Sequence, residues 1–255
     1  GTVNFVMNSN DVRQGGFMYA GFANDDYLKT TYSYNTGRSD DGWATSFLLT
    51  HWQGDGYNEG SFGQGQTYFF SVGKEINEKH SLNFLITGAP QWHDQNFSKS
   101  ISKYLEYGRK YNNNWGMYGD QYLTERRNFY HKPVSSFNWS WDINETSNLT
   151  TSAYVSFGRG GGTGDIGRMG GNFASSSRFR NPDTGLVEWD EIVRANSGLG
   201  GNFSSGYSYS NPADPSTGLQ IVNDDELSDS SMPNGLERRN GFIRRASVNS
   251  HNWVG

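Results

Sequence analysis

The sequence predicts an all-β chain, and three observations favour a transmembrane antiparallel β-barrel within that class. Eight segments alternate apolar and polar residues, which is the pattern of strands that have two different faces. Most of them run about 8 to 12 residues, close to the roughly 9–11 residues that a tilted strand needs to cross a bilayer. Short and long links alternate between them, as in outer-membrane barrels with short periplasmic turns and long extracellular loops.

The composition is polar but rich in aromatic residues, with 33% of residues hydrophobic and 15% aromatic. That balance is odd for a soluble enzyme and typical of membrane barrels, which carry aromatic girdles. The longest apolar run, residues 47–49, is too short for a transmembrane helix. A net charge of −5 argues against a nucleic-acid partner, which requires a basic surface. The absence of cysteine excludes disulfides and thiolate metal sites.

The predicted strands follow a short apolar segment and a polar connector. They cover residues 16–23, 27–36, 42–53, 64–75, 80–88, 134–143, 148–157 and 244–254. Tight polar turns, GRSDD, INEK and NETS, close three of the hairpins. The link after the first strand is brief and the link after the third is Gly-rich. The two longest links, at about 89–133 and 158–243, are predicted to be extracellular loops.

Alternation assigns each side chain to one face of the sheet. The face predicted to meet lipid carries Tyr68, Phe70, Leu82, Phe84, Ile86, Phe137, Trp139 and Trp141. The opposite face, which carries Thr67, Ser71, Asn83 and Thr87, is predicted to face the lumen, and 77–79 a periplasmic turn. Trp43, Trp52 and Trp253 at strand ends suit the membrane interface. A soluble β-sandwich gives the same alternation, so it stays open as an alternative.

The start of the chain, GTVN followed by a polar connector and hairpins, resembles the end of the plug domain of TonB-dependent outer-membrane receptors. HWQGDGY, TGAPQWHDQNF, NFYHKP, SFGRGGGTG and RRASVNSHNW resemble receptors of this family from Bacteroidetes-type bacteria. The resemblance implies that residues 1–14 end the plug and its connector. Residues 15–255 would then form the first part of a barrel of about 22 strands, so the chain is a partial stretch. A closed eight-stranded barrel is the structural alternative.

The resemblance also implies a function, which is energised uptake of a scarce nutrient across a bacterial outer membrane. The chain would not be an enzyme and would need no cofactor. The TonB–ExbB–ExbD complex would supply energy through N-terminal parts outside this chain, and lipid and lipopolysaccharide would surround the barrel. The cargo (ferric siderophore, cobalamin, glycan or peptide) and a surface lipoprotein or larger envelope complex as partner stay open. The alternatives are a passive or structural barrel subunit and, in a third class, a soluble carbohydrate-binding β-sandwich.

Candidate ligand-binding residues flank the first long link. Trp92, His93 and Asp94 follow the fifth strand, and Arg126, Arg127 and Tyr130 precede the sixth. A cationic patch here would attract anionic chelates or acidic substrates. The alternative is that its arginines pair with acidic loops or lipopolysaccharide. A metal site is not predicted, because adjacent residues in an extended segment point apart and no third ligand stands at metal spacing.

Four further segments have simpler interpretations. GRGGGTG at 158–164 lacks the GK[ST] of a phosphate loop and is predicted to be a flexible exit from the seventh strand. The acidic run at 223–229 lacks the calcium-loop pattern and is predicted to be a solvated loop. Segment 98–111 has residues at helical spacing, such as Ile101, Tyr104 and Leu105, and is predicted to be a short helix. Segment 182–198 is predicted to carry a second helix, with Asp190 or Glu191 near its start.

Overall fold

A computed structural model describes residues 8–197, 199–209 and 241–255, and its main architecture is antiparallel β-sheet. The strands in chain order are β1 (Gly15–Ala23), β2 (Tyr27–Asn35), β3 (Trp43–Gly54), β4 (Gly63–Asn77), β5 (His80–Gly88), β6 (Gln91–Asp94), β7 (Trp115–Tyr118), β8 (Gln121–Thr124), β9 (Arg127–His131), β10 (Val134–Asn144), β11 (Ser147–Ile166), β12 (Gly201–Asn202), β13 (Ser208–Tyr209) and β14 (Ile243–Val254). The helices are α1 (Ile101–Tyr107) and α2 (Trp189–Asn196), with 3-10 turns at Ser9–Asp11 and Ser177–Phe179. In this part of the chain no helix is long and apolar enough to cross a membrane.

The eight predicted strands are confirmed as β1–β5, β10, β11 and β14, which form one sheet in that order. Their ends lie within two residues of the predicted ones, apart from the far end of β11. Among the described residues β1 pairs only with β2 and β14 only with β11, so this sheet is open. The closed eight-stranded barrel is therefore not formed by the part of the chain that the structure describes.

The first long link begins and ends as sheet, which corrects the prediction of a loop over 89–133. Beyond Pro90, β6 pairs with β4, and before Pro133, β9 pairs with β11. Register is unchanged across the break, since Tyr68 lies opposite Gly88 and Gly65 opposite Gln91. Proline has no N–H to donate to a ladder, so each proline interrupts a strand without ending its path through the sheet.

The Gly-rich run 158–164 lies inside β11, so the flexible exit and a loop starting at 158 were wrong. This part of β11 pairs with β14 along its length and with β9 at 159–162. Neighbouring groups occupy the space where side chains would stand. A Cβ on Gly160 would lie 2.7 Å from the Cβ of Tyr130, and one on Gly161 would collide with the Ser247 carbonyl oxygen. Glycine therefore permits close packing between strands here.

The buried hydrophobic core lies in the long connections, outside the large sheet. Its members are Met169, Ala174, Phe179, Val187, Trp189, Ile192, Ala195, Phe203, Tyr209 and Phe242, with Leu123 packed against them. We call this unit, residues 95–126, 167–197, 199–209 and 241–242, the distal globule. Both predicted helices are confirmed within it. Asp190 and Glu191 lie in the first turn of α2, where carboxylates interact favourably with the helix dipole.

The two faces of the sheet differ as predicted from alternation. Phe70, Phe84 and Phe137 share one face and stay 42%, 41% and 47% exposed. On the opposite face Ser71 and Asn83 are buried, and the turn Ser9–Asp11 lies over them, with Ser9 Oγ donating to Ser71 Oγ at 2.7 Å. The GTVN match and the acidic run at 223–229 lie outside the described residues.

The glycine packing of β11 gives a matched pair of substitutions. Gly161→Val should lower the free energy of unfolding by about 1–3 kcal/mol through overpacking. Gly162→Val should have little effect, because the nearest atom to a Cβ there is the Arg127 carbonyl oxygen at 3.5 Å. Chemical denaturation of both purified variants measures the difference. Equal stability of the two would contradict the close-packing role.

Candidate functional site

Four of the six predicted site residues lie close together at the end of the sheet next to the distal globule. Two of them, Asp94 and Arg127, form an ion pair at the centre of this group. Asp94 is 2% exposed, and Arg127 donates to it twice, from Nε at 2.6 Å and from an Nη at 3.1 Å. Tyr122 Oη donates to the same carboxylate at 2.9 Å. Burial, and then the negative charge of Asp94, raise the pKa of Tyr122. Asp94 and Arg127 are cross-strand neighbours in β6 and β9, so the sheet itself aligns them.

Trp92 and Arg126 extend this arrangement on either side. The Arg127 guanidinium lies 4.0 Å from the centre of the Trp92 ring, a cation–π contact. Arg126 donates to Asp165 at 3.0 Å and lies 3.1 Å from Glu125. Both predicted arginines are thus paired with carboxylates of the chain itself. This agrees with the alternative in which they pair with acidic loops and do not attract a ligand. Direct ligand contact by these residues stays a prediction.

His93 and Tyr130 lie apart from the carboxylate. His93 alternates with Trp92 and Asp94 along β6, so it points to the other face of the sheet. Tyr130 packs on Gly160 of β11, and the Lys132 amine lies 5.3 Å from its ring centre. The structure therefore brings together Trp92, Asp94, Arg126 and Arg127, but not His93 or Tyr130.

A second ionic cluster surrounds Glu125, a residue that was not among the predicted site residues. Glu125 is 3% exposed, and the guanidinium of Arg180, also buried, lies 3.7 Å from it. Burial and a hydrogen bond with Asp165 raise the pKa of Glu125 to about 7, while Arg126 and Arg180 oppose that rise. Glu125 and Arg180 are 55 residues apart in sequence, so only the long-range fold could reveal the pair.

Two cavities open at the same distal end. One, of about 480 Å³, is lined by the acids Asp25, Asp55 and Glu59 and by the aromatic rings of Tyr57 and Trp115. Lys110 also lines it and donates a hydrogen bond to Asp25 at 2.5 Å. The other, of about 370 Å³, is lined by Lys99, Lys103 and Arg180 with tyrosine and serine hydroxyls. Neither was predicted, because each is assembled from segments far apart in sequence. Within the described ranges no cluster of three His, Asp or Glu side chains that could hold a metal ion is formed.

Comparison with known proteins finds no match among family models, curated proteins or solved structures. The resemblance to TonB-dependent receptors therefore stays a prediction.

The raised pKa of Glu125 predicts a pH dependence of stability. An unfolded glutamate ionises near pH 4.5, so between there and about pH 7 the folded chain binds more protons. Stability should therefore fall as pH rises through that window, by on the order of 2–3 kcal/mol. Glu125→Gln, which stays neutral, should remove that decline. Urea unfolding of both proteins at pH 5 and pH 8 tests this, and equal pH dependence would contradict it.

Proposed function

We propose that this chain is part of a TonB-dependent receptor that carries a scarce nutrient across a bacterial outer membrane. The observation that carries the proposal is the exposed apolar face of the sheet, centred on Phe70, Phe84 and Phe137. Full burial of such a side chain contributes about 1.5–3 kcal/mol, and in water these rings would forgo a little under half of it. A lipid bilayer removes that cost, whereas a soluble sandwich would need a second sheet against this face.

The height of the apolar face is comparable to that of the apolar band of an outer-membrane barrel, though a few ångströms shorter. At the end near the tight turns, Lys74 lies 5.0 Å from the Trp43 ring, and His80 stacks on Trp139 and Trp141 at 5.9 and 5.6 Å. Towards the long links it ends at a polar network of His51, Gln53 and Gln66. Residues 43–51 span about 26 Å along the strand at ~3.3 Å per residue, or roughly 20 Å when tilted. Outer-membrane barrels present an apolar band of about 25 Å.

The opposite face and the sheet edges support a plugged, larger barrel. Ser71 and Asn83 are buried beneath the turn Ser9–Asp11, as expected of lumen residues beside a connector from a plug. The outer edges of β1 and β14 would carry unpaired backbone groups, which a bilayer does not tolerate. We propose that further strands pair with both edges. The distal globule would then be extracellular, and the TonB–ExbB–ExbD complex would act through a plug outside this chain.

A charged substitution on the apolar face tests whether lipid or water surrounds that face. Phe137→Arg should cost about 2–4 kcal/mol in a bilayer and impair assembly. Phe97→Arg is the matched control, because Phe97 is 52% exposed but lies in the distal globule. Heat-modifiable gel migration of the full-length protein in outer-membrane fractions measures assembly. If both variants assembled alike, or the protein stayed soluble without detergent, the membrane proposal would be wrong.

Energised uptake is tested separately from membrane assembly. Native mass spectrometry and metal analysis of the purified full-length protein should identify a bound cargo. Uptake of that cargo should then fall to background in cells that lack TonB, since gating by the plug needs energy from the inner membrane. Unchanged uptake would favour the alternative, a passive or structural barrel subunit.

A further inference from the structure

The distal cavity of about 370 Å³ lies where two segments of the distal globule meet. One segment carries Lys99 and α1, and the other runs through Arg180. Tyr107 Oη donates to the Pro182 carbonyl at 3.1 Å, and Tyr111 Oη donates to the Gly185 carbonyl at 3.0 Å. These bonds fix the two segments across the cavity, so its walls are set by the fold. The volume lies within the usual range for small-molecule sites.

The charged side chains that line this cavity are all positive. Lys99, Lys103 and Arg180 line it, and no Asp or Glu does so among the described residues. Lys103 pairs with Glu106 at the rim, whereas Lys99 forms no ion pair in the described ranges. Burial, and then the positive charge of Arg180, lower the pKa of Lys99. Arg180 and Lys103 are paired with Glu125 and Glu106, which do not line the cavity, so Lys99 leaves an excess of positive charge there. Excess positive charge favours an anion.

Arg180 is built into the wall of the cavity. It is 7% exposed, and its Nη1 donates to the carbonyls of Ala174 at 2.8 Å and Ser176 at 3.0 Å. Its Nε is buried and has no hydrogen-bond partner among the described residues, and the same is true of Asn113 Oδ1. Buried polar atoms without partners are costly, so both are candidates to bind a ligand. One is a donor for an oxyanion and the other is an acceptor for a hydroxyl group.

Part of the remaining wall is aromatic, beside serine and asparagine side chains. The rings of Tyr107 and Tyr111 lie 4.6 Å apart between centres and are inclined by 35°. They add apolar surface next to the cations, and the Lys103 amine lies 4.9 Å from the Tyr107 ring. A ligand that suits both features carries an oxyanion on a small ring with hydroxyl groups.

We propose that this cavity binds a phosphate-type oxyanion borne by a small sugar-like ring. Lys99 and Arg180 contact the oxyanion, Asn113 accepts from a hydroxyl group, and Tyr107 lies against the ring. The ring and its phosphate belong either to a free sugar phosphate or to the phosphorylated sugar headgroup of a membrane lipid. Binding at this cavity is measured on the purified protein without TonB or a membrane. Its outcome therefore does not depend on whether the proposed transport is correct.

Calorimetric titration of the full-length protein in detergent tests this proposal. The probes are glucose 6-phosphate, glucose, and lipid A in mixed micelles. Glucose 6-phosphate should bind with a salt-sensitive Kd, and glucose should bind much more weakly or not at all. Lys99→Gln should raise the Kd about tenfold or more, since a hydrogen bond to a charged group is lost. Lys103→Gln, at the exposed rim, should raise it less.

The matched control is Lys79→Gln, the same change in the turn at the opposite end of the sheet, which should leave the Kd unchanged. Binding of lipid A alone, with the same sensitivity to Lys99→Gln, would support the site and assign the oxyanion to a lipid headgroup. Failure of both phosphate-bearing probes to bind would overturn the proposal. So would equal affinity for glucose and glucose 6-phosphate, or identical effects of Lys99→Gln and Lys79→Gln.

Discussion

The uncovered apolar face of the sheet is the constraint on which the rest of this structure depends. Its strands cannot form a conventional core, because Phe70, Phe84 and Phe137 remain exposed and the opposite face is lined by small polar residues such as Ser71. Backbone pairing and the surrounding solvent, more than interior packing, must therefore stabilise the sheet. The chain places its buried hydrophobic core in the distal globule instead, around Phe179 and Ile192.

Sheet and globule are joined mainly by hydrogen-bonded strands and charged groups. β6 and β9 continue the ladder beyond the prolines and lead directly into the globule. Asp94 on β6 is held by Arg127 of β9 and by Tyr122 of the globule, and Glu125 connects Arg126 with Arg180. Such buried charges are costly to desolvate, and loss of one partner would leave the other buried and unpaired.

The sequence predicted the parts of the fold that have a side-chain period. Eight strands followed from alternation, and α1 followed from the helical spacing of Ile101, Tyr104 and Leu105. The extension of β11 was missed because glycines such as Gly161 have no side chain to alternate. β6 and β9 were missed because Pro90 and Pro133 look like ends of strands. The paired state of Arg127 and both cavities depend on tertiary contacts, which no local pattern encodes.

This division between sheet and globule also determines where ligand specificity can reside. A substitution on a strand alters either the apolar face or the polar face, and both are constrained by what surrounds them. The cavity beside Lys99 is instead supported by the globule, whose core is its own, and its walls are tied by hydrogen bonds from Tyr107 and Tyr111 to backbone carbonyls. Lysines of its wall such as Lys99, which take no part in the ionic joint around Glu125, can therefore change without disturbing the register of the sheet. A binding site in the globule can adapt to its ligand while the strands keep the same surroundings.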